Sequence, residues 1–401
     1  MAADPPRKRC RVDNCSEIDG HVHVNCTSKL RKDMTDELRR LCDTDCTSVV
    51  TLTPLSVLNS NAVDGQPFNK AFCRIGDFGE KHLFVSLFYK GLDIILKYLN
   101  DAVMPTEPVD RLVLDTLLHF LTMMADTDAQ VPMEKFEGLT DAEVTIILAN
   151  HLFGKLAISS NFLIDNHCKG KEDTWSTCPC SETGCRISGS YGDTSIGHGL
   201  VWHGELDIIV NDHVVLKTGE DPHEDSGLKS SPRVKPSSSC LVRNEQIIAE
   251  TIVFSFLQKK RHPEYCQYLA PCIGITEKEM VVYFYDAEHD VLLQSSPIFL
   301  HSQHRTSVGH ISLTAVLVAW LVLNHKYLCD GLPEALKTRK AGFYDTAESK
   351  LSVYQNELQF GNVALLTQAH TRPRPNIVSN PSVKKLENVR LKILHEKFRT
   401  N

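Results

Sequence analysis

The stretch at 203–220, HGELDIIVNDHVVLKTGE, sets an acid, Asp207, and a lysine, Lys217, ten residues apart. Asn211-Asp212 between two apolar runs is a hairpin signal, so both charges fall at neighbouring strand ends. Three readings are open for such a pair: a catalytic metal site, the remains of one, or ordinary strands with solvated charged ends. A second chemically able group lies just upstream in NHCKGKEDTWSTCPCSETGCRISG. Cys178, Cys180 and Cys185, with Cys168 or His167 before them, make a four-ligand set. Zn²⁺ takes four N or S donors tetrahedrally, and a structural clip of this kind pins a loop that lacks apolar anchors. The Cys-x-Cys spacing is tighter than the usual Cys-x-x-Cys, and free thiols are the competing reading.

The elements that must position these residues follow from periodicity. Residues 1–65 mix charges, Cys, Ser and Thr around one short helical stretch, MTDELRRLC, and are expected to form a largely disordered tail. A helical region is expected over 66–134, from the spacing of Phe84, Leu87, Phe88, Gly91, Ile95 and Tyr98 and from RLVLDTLLHFLTMMA. A third helix, LTDAEVTIILANHLFGKLAIS, opens on a Thr140/Glu143 capping box. The period then changes. CRISGSYG, GELDIIV and HVVLKTG read as strands, a polar stretch over 220–240 as a loop, and NEQIIAETIVFSFLQKK as a helix. YLAPCIGI, MVVYFYD and DVLLQSS are further strands, and ISLTAVLVAWLVLN is a buried helix too short to span a bilayer. Residues 135–330 are thus expected to be an α/β core, with 331–401 a helical tail carrying a proline-rich linker. Both chain ends are expected to be flexible.

Composition narrows the partners. A formal net charge of -7 over 401 residues gives no whole-molecule field for a nucleic-acid backbone, so such binding needs a local patch. The opening MAADPPRKRCRVDNC has no apolar core of signal-peptide length, so reduced thiols and an intracellular site are expected. Arg7, Lys8, Arg9 and Arg11 fit a nuclear-import signal and equally a basic tail, which leaves nuclear and cytoplasmic locations open. No membrane partner is expected.

The order helix, three strands, helix, strand, together with GELDIIVNDHVVLKTGE, resembles the PD-(D/E)XK superfamily, the restriction-endonuclease-like nucleases. The Lys-Thr-Gly ending is similar to the RecB-type branch, in which a glutamine-bearing helix follows the lysine strand. The resemblance covers about a third of the chain. It implies an αβββαβ core and metal-dependent hydrolysis of nucleic acid. It also places Gln246 of NEQIIAE at the glutamine position and Glu143 at that of the first-helix acid. The chemistry matches: Mg²⁺ prefers carboxylates, and a nearby lysine stabilises developing negative charge. Asp207 is the metal-ligand candidate and Lys217 the charged catalytic candidate. The family's acid two residues before the lysine is missing, since that position is Val215. A register using Lys235 instead places Arg233 there. Glu250, four residues after Gln246 and on the same helix face, is the candidate replacement acid and second Mg²⁺ ligand. The competing expectation is a catalytically inactive nuclease-fold module that binds nucleic acid or a protein.

Other classes have less to stand on. No glycine-rich kinase loop, nucleophile elbow or phosphate-binding loop occurs. His198 and His203 flank Trp202 shortly before Asp207 and are candidates for phosphate contact or plain loop histidines. The terminal basic stretch with Lys384, Lys385, Arg390, Lys392, Lys397 and Arg399 reads as an acidic-surface binder or a solvated amphipathic helix.

Overall fold

Why the two charged residues end up side by side is visible in the hairpin that carries them. The computed structural model describes residues 27–43, 49–125, 136, 138–168, 176–180, 182–219, 240–265, 267–301 and 311–363. Within these, the chain begins with helix α1 (Ser28–Cys42), strand β1 (Thr51–Ser60), β2 (Cys73–Asp77) and the short β3 (His82–Leu83). Helices α2 (Tyr89–Asp101), α3 (Pro108–Ala125) and α4 (Asp141–Leu148) follow. A π turn, Ala149–Phe153, joins α4 to one last turn, α5 (Gly154–Leu156).

The central part runs β4 (Phe162–Asp165), β5 (Ser190–Gly192), β6 (Ile196–Gly197), β7 (His203–Gly204), β8 (Ile208–Val210) and β9 (Val214–Thr218). Then come α6 (Glu245–Arg261), β10 (Leu269–Ile275), β11 (Glu279–Asp286), β12 (Val291–Ser295), β13 (Ile298–Phe299) and α7 (Leu313–Leu323). One mixed sheet has the order β2-β1-β12-β11-β10-β9-β8-β4-β5, with β3 and β13 pairing off this path. β4, β8 and β9 form an antiparallel meander, and β10 lies parallel to β9 after the α6 crossover. The protein is therefore a mixed α/β structure with helices on both faces of its sheet.

Period-two alternation feeds two cores. Ile208, Val210, Val214 and Leu216 point to the face covered by α2, α3, α4 and α7. Ile209 and Val215 point to the other face, beneath α6. Every residue of α6 from Ile247 to Gln258 is buried, as befits a helix packed on all sides. Asn244 caps it by accepting from the Ile247 N–H at 3.1 Å. α7 is buried throughout from Ala315 to Leu323. Among the described residues, no helix is long and apolar enough to cross a membrane.

Several expectations need correcting. Residues 51–60 are not part of a disordered tail. They form β1, paired with β12 on one side and β2 on the other. Leu52, Leu55 and Val57 supply its apolar contacts, and the intervening Thr, Ser and Pro had masked them. The segment after residue 66 opens with β2 and β3 before its helices. The first strand of the meander is β4, the short FLID run, rather than CRISGSYG, whose end contributes the parallel edge strand β5. The basic N-terminal cluster, most of the 220–240 loop, Arg233 and Lys235, the proline-rich linker and the terminal basic stretch lie outside the described residues.

Candidate functional site

The β8–β9 turn is tight because Asn211 and Asp212 both adopt positive φ, 52° and 62°. Register then pairs Ile208 with Leu216, and the next step along the ladder sets Asp207 against Lys217. The Lys217 ammonium donates to Asp207 Oδ1 at 2.8 Å, and the Thr218 N–H donates to Oδ2 at 2.8 Å. Val215 and Lys217 share the face beneath α6, where Glu250 is fully buried. Glu250 Oε1 lies 4.0 Å from the Lys217 ammonium and accepts from Gln246 Nε2 at 2.9 Å. One ammonium therefore meets a carboxylate from the hairpin and another from the crossover helix. Close approach of α6 is helped by Gly274 of β10, opposite Lys217, where a Cβ would come within 2.7 Å of Ile247 Cδ1.

Four of the five expected catalytic residues thus converge, and Glu143 does not join them. Its carboxylate is engaged in the capping box of α4, accepting from the Thr140 N–H at 2.8 Å and the Thr140 hydroxyl at 2.9 Å. The helix instead meets β9 on the opposite face of the sheet: Thr145 Oγ1 is 2.8 Å from Thr218 Oγ1, a buried hydroxyl pair one residue along from Lys217. Val215 is fully buried in the core under α6 and offers no ligand. His198 and His203 engage their own loop. His198 Nδ1 accepts from the Leu200 N–H at 3.2 Å, and His203 Nδ1 lies 2.8 Å from Val201 O.

A further acid escaped the sequence reading. Asp165 ends β4, 4% exposed, and its N–H donates to the Asp207 carbonyl at 2.9 Å. Its Oδ2 accepts from the Thr194 hydroxyl at 2.7 Å, while Oδ1 lies 2.7 Å from His167 Nδ1. That hydrogen bond raises the exposed His167 imidazole above its usual range. The field of these acids is felt by two thiols. Burial, then Asp207 and Asp165, pushes Cys168 up to about 11, and burial, then Glu250, raises Cys272. Lys217 opposes both shifts.

Cys168 consequently belongs beside Asp207 and not in the cysteine cluster, and His167 is held by Asp165. The fourth member of the cluster is His151, on the π turn. The ligand atoms of His151, Cys178, Cys180 and Cys185 all lie within 4.8 Å of one another, a group able to hold a metal ion. Nothing in the local sequence marks His151, because it is 27 residues from Cys178 and sits in a continuous helical pattern. Its burial depresses the imidazole pKa, which favours the neutral, ligating form. Without an ion, burial pushes the Cys178 thiol up to about 12.

The site defines a mixed α/β protein with two chemically distinct clusters, one of carboxylates around a lysine and one of thiols around an imidazole. Compared with protein-family models, curated proteins and solved structures, the chain matches none.

Proposed function

We propose that this chain is a PD-(D/E)XK-type nuclease in which Asp207, Lys217, Glu250 and Gln246 carry divalent-cation-dependent hydrolysis of phosphodiester bonds. The observation that carries the reading is the Lys217 ammonium standing between Asp207 of the hairpin and Glu250 of α6. Glu250 supplies from the helix the carboxylate that Val215 does not supply from the strand. The run of α4, the β4-β8-β9 meander, α6 and the parallel β10 supports the same reading, because it follows the αβββαβ order that the superfamily's core has.

The donor set suits a hard cation: two carboxylates, Asp207 and Glu250, would hold Mg²⁺ or Mn²⁺. Such an ion, when bound, polarises the phosphate and lowers the pKa of a bound water. The chain's own residues do the rest. Gln246 orients Glu250 through its amide N–H, and the Thr218 N–H orients Asp207. Lys217 offers positive charge where the phosphate's negative charge develops. Incubating the purified chain with single- and double-stranded DNA and RNA and Mg²⁺ or Mn²⁺ tests this. Cleavage is expected, falling about 100-fold or more in Asp207→Ala and in Lys217→Met. Equal cleavage by wild type and Asp207→Ala overturns the assignment.

A second reading rests on Val215. Its side chain is packed into the core at the acid's usual position, which is what an inactivated descendant kept for binding would show. That protein binds nucleic acid or a protein partner and cleaves nothing under any divalent cation.

A further inference from the structure

We infer that His151, Cys178, Cys180 and Cys185 form a closed structural zinc site that rivets the 176–188 hairpin to the π turn after α4. All four ligand atoms lie within 4.8 Å of one another, and two of their six edges have the length that tetrahedral zinc would impose. Zn–S bonds of about 2.3 Å and a Zn–N bond of about 2.0 Å give S···N edges of about 3.5 Å. Cys178 Sγ and Cys185 Sγ lie 3.4 and 3.5 Å from His151 Nε2. A ring nitrogen has a single lone pair or a single N–H to offer, so hydrogen bonding makes one of these contacts well and the second only as the weaker arm of a bifurcated bond. A shared cation accounts for both. Cys178 and Cys180 are 2% and 0% exposed, so the centre is shut off from solvent on their side.

Two independent features of the backbone point the same way. The hairpin that presents the thiols is shaped for it: Cys178 N–H donates to Cys185 O at 3.2 Å, and Cys185 N–H donates to Glu182 O at 3.0 Å. This knuckle brings Cys185 back over the Cys178-Pro179-Cys180 step. On the other side, the helix departs from α geometry where it meets the knuckle. The Gly154 N–H reaches Ala149 O, a five-residue span. π turns are rare and concentrate at functional positions. Here the turn carries His151 to the thiols and Asn150 to the hairpin's return strand, with Asn150 Nδ2 donating to Arg186 O at 3.1 Å and the Ser188 N–H donating to Asn150 Oδ1 at 2.9 Å.

The donor set selects the metal. Three thiolates with one imidazole are too soft for Mg²⁺ or Ca²⁺, and cubane and rhombic iron–sulfur clusters take four thiolates in general. Four protein ligands leave no open position, which is the mark of a structural rather than a catalytic site. Cys168 lies outside the set.

Elemental analysis of the full chain tests the inference. One zinc per chain is expected, retained in Cys168→Ser and lost in Cys180→Ser and His151→Ala. Should those variants fail to fold, the wild-type chain exchanged with Co²⁺ is the deciding measurement. It should show the intense visible bands of tetrahedral Co²⁺ together with thiolate-to-cobalt charge transfer. A metal-free chain whose thiols all react at once with an alkylating reagent overturns the inference. So do an iron–sulfur absorption spectrum, a Cys178–Cys185 or Cys178–Cys180 disulfide by mass spectrometry, and octahedral Co²⁺ bands.

Discussion

A lysine whose side chain is only 10% exposed is tolerable only with compensation, and Lys217 has it from two directions. Asp207 is partly exposed and close, whereas Glu250 is fully buried and at 4.0 Å. The pair with Asp207 is therefore the firm hydrogen bond. Glu250 depends on the ammonium mainly for charge balance, and on Gln246 for direct hydrogen bonding. Lys217→Met should destabilise the fold by about 3 kcal/mol in urea denaturation, because a buried carboxylate loses its counter-charge. Adding Glu250→Gln, which removes that charge while keeping the shape, should recover a good part of the loss. A double-mutant cycle with no coupling between the two positions would show that the cluster does not act as a unit.

At the level of elements, α4 is joined to β9, on the face away from Lys217, by a buried hydroxyl pair, Thr145 and Thr218. Thr145→Val or Thr218→Val alone should cost about 1–2 kcal/mol, since the remaining hydroxyl is left buried opposite a methyl group. Changing both together should cost less than either change alone, and thermal melts of the three variants check this. The case also shows what was legible from sequence. The hairpin, α6, β10 to β12, α7 and the capping box all declare themselves by periodicity and turn chemistry, and so Asp207, Lys217, Gln246 and Glu250 could be found. β1 could not, because Thr, Ser and Pro interrupt its apolar residues and only pairing with β12 completes its burial. β4 is four residues long and only five residues separate it from an apolar helix, so neither the strand nor Asp165 at its end stands out by periodicity. The π turn leaves no trace in a pattern read at 3.6 residues per turn, and His151 was lost for that reason.

For the molecule as a whole, the carboxylate cluster stands at one end of the β8–β9 hairpin and a group of aromatic and imidazole side chains at the other. His213, in the turn region of that hairpin, lines a cavity of about 240 Å³ with Gln258, Tyr265, His325 and Lys326. The Lys326 ammonium donates to the Tyr265 hydroxyl at 2.7 Å and stands over that ring. Burial, then the charge of Lys326, depresses His213 to about 4. Burial, then His213, depresses His325 to about 3. Both imidazoles are thus neutral in the fold at pH values where they are already protonated in the unfolded chain. The unfolded chain takes up the protons first as pH falls, so stability present above about pH 6.5 is lost down to about pH 4 for His213 and about pH 3 for His325. By pH 5, above the ordinary carboxylate range, each histidine costs at most about 2 kcal/mol. Urea midpoints should therefore decline from pH 7 to pH 5 and stay level from pH 7 to pH 8. His213→Gln should make the decline shallower, leaving the part due to His325 and to the other imidazoles that burial depresses, His151 and His262. Lys326→Met should also flatten it, by letting His213 protonate in the folded state at higher pH. A decline of the same size in wild type and in His213→Gln would mean that His213 accepts a proton in the fold as readily as in the open chain.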